Sequence, residues 1–110
     1  MQHKKFKISS EEIKKIIDSD IGCIASDMIT VHGENVGYMY REEPNEIYDS
    51  GWRFFSGKED QEYVDQADFF AFYKINTIAN YDKAIIPYLD FPIGSSLERI
   101  EGTDQYYLVK

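Results

Sequence analysis

The sequence predicts an α+β fold. The expected form is one domain, residues 1–110, with a largely antiparallel, twisted sheet of about five to six strands. An N-terminal helix and one or two short helices pack on it. Three observations lead there. A chain of 110 residues is the natural length of one domain, and it buries about two-thirds of its unfolded surface without needing staples. Its apolar segments are short and separated by turn residues. They fall in the order α-β-β-β-α-β-α-β-β, with most strands joined by brief connections, which favours antiparallel pairing.

The elements follow in order. Ser9 and Glu12 stand in the S-x-x-E spacing of a capping box. Ile8 and Ile13 are placed as a hydrophobic staple, and Ile13, Ile16 and Ile17 form an i, i+3, i+4 stripe, so a helix is expected up to residues 18–20. In IGCIASDMITVHG, Ile21, Cys23 and Ala25 point one way and Ile24 the other. Apolar residues on both faces mark an inner strand, with Ile29 and Val31 continuing the extended chain. HGEN is a turn, VGYMYR (residues 36–41) is the next strand, and a hairpin is expected. A loop of about ten residues around Pro44 leads into the strand WRFF. KEDQEYVDQ holds a brief helix with Tyr63 and Val64 facing in. FFAFYKI is a strand that is apolar on both faces. Asp82 caps a short helix limited by Pro87. SLERI and QYYLVK are the last two strands, joined by EGTD.

Charge narrows the function classes. Twelve Lys and Arg face twenty Asp and Glu, a net charge of −8. Binding to phosphates runs on clustered cations, so nucleic acid is excluded as a partner, and anionic membranes with it. Basic partners are favoured. The imbalance is local. Residues 1–15 carry five Lys and two Glu, whereas residues 42–68 carry nine acids against Arg53 and Lys58. One cysteine allows no intrachain disulfide and no multi-cysteine zinc site. A cytoplasmic location is expected, with no signal peptide and no membrane span.

Catalytic constellations are missing from the pattern. Neither His3 nor His32 has a ligand-spaced partner. Cys23 lies in an apolar strand, where cysteine behaves as a small hydrophobe. The acid pairs Glu42–Glu43 and Glu59–Asp60 lie in polar contexts that favour full ionisation. No enzyme activity, metal or cofactor is expected. Arg53 sits between Trp52 and Phe54, and a covered guanidinium needs a carboxylate. Glu42, Glu43 and Asp49 are the available partners, and such a pair would pin the long loop. The other reading is an exposed Arg and Trp surface of the type found at interface hot spots.

Taken together, CIASDMITVHGENVGYMYREEP, DSGWRFFSGKEDQEYVD and INTIANYDKAIIPYLDFPIGSSLER resemble the immunity protein 33-like domain family over residues 8–99. GYMYREEP, GWRFFSG and NTIANYD in this order carry the resemblance. Two departures are visible: Lys83 stands where the pattern has proline, and FFAFYKI is more apolar than its counterpart. The resemblance implies a non-enzymatic bacterial immunity protein of polymorphic toxin systems, which binds and neutralises a cognate toxin. The family brings no catalytic residues to carry over.

The expected partner is therefore a protein, a basic toxin domain, engaged through an acidic, aromatic-containing surface. Contact candidates are Glu42, Glu43, Glu46, Tyr48, Asp49, Trp52, Glu59, Asp60 and Glu62. The acids speed encounter, and Trp52 or Tyr48 anchors it. Trp52 has a second reading as core, since a motif shared across a family is a poor carrier of partner choice. Arg41, Arg53, Asn76, Asn80, Tyr81 and Asp82 are structural or pocket candidates. The alternative function is a small-molecule or peptide-binding module, with a polar pocket around Arg53, Asn76, Thr77, Asn80 and Tyr81.

Overall fold

A computed structural model describes residues 4–109. Six strands form one mixed sheet: β1 (Gly22–Ser26), β2 (Tyr38–Arg41), β3 (Asp49–Phe55), β4 (Phe70–Lys74), β5 (Ser96–Arg99) and β6 (Tyr106–Leu108). The spatial order is β4-β1-β3-β2-β5-β6. Only β1 and β3 run parallel, and the other four pairs are antiparallel. Three short helices join them: α1 (Asp27–Thr30), α2 (Gln61–Val64) and α3 (Ile75–Tyr81). Single 3-10 segments occupy Ser10–Glu12, Ala67–Phe69 and Lys83–Tyr88. The α+β class and the largely antiparallel sheet are as the sequence predicts.

Pairing assigns every strand residue to a face, since directly opposed side chains share a side. Cys23, Ala25, Met39, Trp52, Phe54 and Leu97 point to one side and form the core with Ile75, Ile78, Ala79 and Ile85. Ile75, Ile78 and Ala79 lie at i, i+3, i+4 on α3, one apolar stripe laid against the sheet. Trp52 is completely buried, its ring stacked on Phe54 and its Nε1–H donating to the Leu89 carbonyl at 3.0 Å. Cys23 is also fully buried, and burial pushes its thiol well above the ordinary value, so it serves as packing.

The expected N-terminal helix does not form. The capping contact does: the Glu12 carboxylate accepts from the Ser9 N–H and hydroxyl. Yet only Ser10–Glu12 coils. The reason is tertiary. Asn76 Oδ1 accepts the N–H groups of Ile16 and Ile17, and Asn80 Oδ1 accepts that of Lys14. Both amide groups donate back to the Lys14 carbonyl. The backbone groups a helix would use are thus spoken for by two asparagines of α3. A helix of that length has little stability of its own to resist this.

The predicted hairpin between β1 and β2 is also absent. Ser26 Oγ accepts the Met28 N–H and starts α1, so Ile29 is helical and buried, not extended. The chain then crosses over, and β3 inserts between β1 and β2. The coiled segment expected from Asp82 is preceded by a further helix, α3, which takes in NTIANY. The cap at Asp82 is present, its carboxylate accepting the Ala84 N–H at 3.1 Å, and Tyr63 is half-buried while Val64 is exposed.

Candidate partner-binding face

The site starts from a defect in β3. Between paired positions Gly22↔Asp49 and Ile24↔Arg53, β3 spends two more residues than β1. Ser50 and Gly51 supply this bulge. Gly51 sits at φ +90°, and a Cβ there would lie 2.0 Å from the Glu42 carbonyl oxygen, so only glycine fits. Ser50 Oγ donates to the Gly22 carbonyl and accepts the Trp52 N–H. Asp49 then accepts the N–H groups of Gly51 and Asn45.

The bulge turns Asp49 onto Arg53. The guanidinium donates to both Asp49 oxygens at 2.9 and 2.8 Å and through Nε to Glu42 at 2.6 Å. Arg53 is 2% exposed. Its hydrogen bonds hold the Asp49 carboxyl down at about 2 and raise the guanidinium's own value, so both stay charged. The pair ties residues 42–48 to the sheet. This is the internal salt bridge among the alternatives the sequence left open.

Around that pair lies the second face of the sheet. Tyr40 opposes Arg53, Tyr38 opposes Phe55 and Glu98, and Glu98 opposes Tyr107. Phe72 opposes Ile24 across β1 and β4. None of these belongs to the buried core. Tyr40 and Phe55 stack at 5.8 Å, and Tyr38 lies 6.0 Å from each. Phe55 meets Phe70 edge-on at 5.6 Å, and Phe70 meets Tyr63 of α2. Tyr107, Phe72 and Tyr48 are about half exposed, and Tyr48 leans edge-on against Phe72. The aromatic row therefore runs across the sheet, roofed at one side by α2.

Two adjoining hollows open between α2 and the strands. The larger is about 510 Å³, with Tyr38, Tyr40, Phe55 and Val64 as walls and Glu59 and Glu98 among its lining. The smaller, about 180 Å³, shares Tyr40, Phe55 and Val64 and reaches Arg53 and Glu42. Burial raises the Tyr40 hydroxyl above its ordinary value, and the Glu42 charge raises it further. Among the described residues no group of three His, Cys, Asp or Glu stands ready to hold a metal, and no helix is long and apolar enough to cross a membrane.

The predicted residues divide. Glu43, Glu46, Tyr48, Asp60 and Glu62 are exposed, and Glu42 keeps about half its side chain in solvent. Trp52 and Asp49 are corrections. Trp52 is core and Asp49 is 4% exposed, so neither can touch a partner. Glu59 and Asp60 have local duties as well. Glu59 accepts the N–H groups of Ser56 and Gly57, and Asp60 accepts that of Tyr63 to cap α2. Burial works to raise the Glu59 carboxyl, but hydrogen bonds from Ser26 and Ser56 outweigh it and leave it below the usual value.

The polar pocket does not assemble. Arg53 lies on the open face, whereas Asn76 and Asn80 sit on α3 against the other face and bind the N-terminal segment. Tyr81 accepts the Ile8 N–H and donates to the Thr30 carbonyl. Asp82 accepts the Val36 N–H and pairs with Arg99 at 2.6 Å, beside Tyr106. Arg41 donates to the carbonyls of Ser50 and Phe91 and rests over Trp52. Each of these motif residues fastens one segment to another. Sequence reading missed Tyr38, Tyr40, Phe55, Phe70, Tyr107 and Glu98. The signal was present as alternation in YMY, where Met39 is fully buried and its neighbours only partly buried.

Comparison with curated proteins finds no match, and neither does comparison with solved structures. A family model described as the Immunity protein Imm33 domain matches residues 23–110. The match takes in β2 to β6 and all of β1 but Gly22, and it leaves out the N-terminal segment that Asn76 and Asn80 hold. The chain belongs to the Imm33 immunity protein domain family.

Proposed function

We propose that this protein is a non-enzymatic immunity protein, which neutralises a cognate bacterial toxin in the cytoplasm by covering it with the open face of the sheet. The observation that carries this reading is the contrast between the two faces. One is sealed by α3 and the Lys83–Tyr88 segment; the other presents Tyr38, Tyr40, Phe55, Phe72 and Tyr107 beside Glu42, Glu98 and the acidic loop. Aromatic area gives anchoring at low entropic cost, and surrounding carboxylates steer a basic partner. A nuclease toxin is basic where it holds nucleic acid, so an acidic inhibitor competes for that same surface.

Co-expression tests the class. The product of the gene adjacent to this one is expected to kill alone and to be silenced when this protein is present. Purified together, the two should form a complex whose association slows with salt. A neighbour that is harmless alone, or remains toxic beside this protein, contradicts the reading.

A further inference from the structure

We propose that the larger hollow on the open face is a receptor for a guanidinium, an arginine side chain presented by the partner. The proposal rests on the reading of this face as the binding face and names the group it takes. Tyr38, Tyr40 and Phe55 form a triangle with every centroid separation near 6 Å, and the Tyr40 and Phe55 planes are only 16° apart. The hollow they line, about 510 Å³, has room for a long side chain.

Its charge is one-sided. Glu98 is exposed beside Tyr38, its cross-strand neighbour. Glu59 lines the same hollow and is ionised. Glu42 borders the adjoining hollow, with Oε2 on Arg53. Among the residues lining both hollows, Arg53 is the one cation, and it is buried and matched by Asp49 and Glu42. The walls thus offer π faces and net negative charge. An anion is repelled. A neutral apolar group would desolvate the carboxylates without compensation. A guanidinium stacks flat on the rings and gives a forked pair of N–H donors to a carboxylate such as Glu98. An ammonium, compact and strongly hydrated, matches the flat walls less well.

The test titrates the 15N-labelled full chain with N-acetyl-arginine N-methylamide and follows backbone amides. The lysine counterpart and the citrulline counterpart, equal in shape but uncharged, serve as comparisons. Saturable shifts centred on Gly37, Tyr38, Tyr40, Phe55 and Glu98 are expected with arginine, in the range of about 1 mM or weaker for a single side chain. Lysine should bind more weakly and citrulline should not saturate. Glu98→Gln should weaken arginine by about fivefold, the loss of one exposed charge contact, with the melting temperature unchanged. Equal shifts with citrulline, or arginine shifts elsewhere on the molecule, overturn the proposal. Protection in co-expression without arginine-specific shifts overturns the groove and leaves the toxin reading standing. Arginine-specific shifts without protection keep the groove and overturn the toxin reading.

Discussion

The two faces of the sheet are built from the same strands by alternate residues, yet they do different work. On β3, Trp52 and Phe54 go to the sealed side and disappear into the core, while Arg53 and Phe55 go to the other. On β2, Met39 is buried between two partly buried tyrosines. The sealed face is held by packing and by polar fasteners that reach across the fold: Asp82 to Arg99 and Val36, Asn76 and Asn80 to the N-terminal segment, Arg41 to Phe91. The open face keeps one strong device, the Asp49–Arg53–Glu42 cluster, at its floor. Above that floor Tyr38, Tyr40, Phe55 and Phe70 pack on one another. The family motifs serve both faces: Arg41, Asn76, Asn80, Tyr81 and Asp82 are fasteners, whereas Tyr38, Tyr40 and Phe55 lie on the open face.

The largest effects are expected where the contrast is broken at its base. Trp52→Ala should cost about 3–5 kcal/mol of stability, since it empties a fully buried ring site. Arg53→Ala should cost a similar amount, about 3–5 kcal/mol, by leaving Asp49 buried without its cation. Denaturant unfolding checks both. The open face should collapse with them, so binding is lost through folding and not through contact.

Acid sharpens the comparison at the same floor. The Asp49 carboxyl lies at about 2 in the folded chain against an ordinary 3.8. The folded state therefore binds this proton less readily than the unfolded one. Its contribution is fully present above pH 4 and lost as pH falls toward 2, in all about 2 kcal/mol. Equilibrium unfolding between pH 5 and 2 should show this slope for the native chain and a flatter one for Asp49→Asn.

A smaller effect is expected at the fasteners. Asn76→Ala removes acceptor contacts to Ile16 and Ile17 and one donor contact to Lys14, at about 1–2 kcal/mol. Limited proteolysis should cut earlier near residues 14–17, while toxin binding is retained. The smallest stability change belongs to the open face itself. Glu98→Lys, at an exposed position, should change stability by less than about 0.5 kcal/mol and yet weaken protection.

Much of the fold was legible because local chemistry and tertiary structure agree. The Asp82 cap, the EGTD connection and the alternation in WRFF all behave as their residues dictate. Where the two disagree, tertiary structure wins. The stripe Ile13, Ile16 and Ile17 fits a helix, but Asn76 and Asn80 stand sixty residues away and take its hydrogen bonds. No pattern within residues 9–17 could announce that. Strand order was hidden for a similar reason: β3 pairs with β1 across about 27 residues of chain, through a bulge at Ser50 and Gly51 that Gly22 helps to hold. At the site, acids and aromatics in one stretch drew the eye to DSGWRFFSGKEDQE. The open face instead collects Tyr38, Phe55, Glu98 and Tyr107 from four strands. Only the register brings them together.

The most direct measurement is oxidative side-chain footprinting of the protein alone and in complex with the toxin proposed as its partner. The account predicts that labelling of Tyr38, Tyr40, Phe55 and Tyr107 falls on binding, while Phe6 and Ile93, exposed elsewhere on the molecule, label as before. Unchanged labelling of the four aromatics, with loss at Phe6 or Ile93 instead, would contradict it.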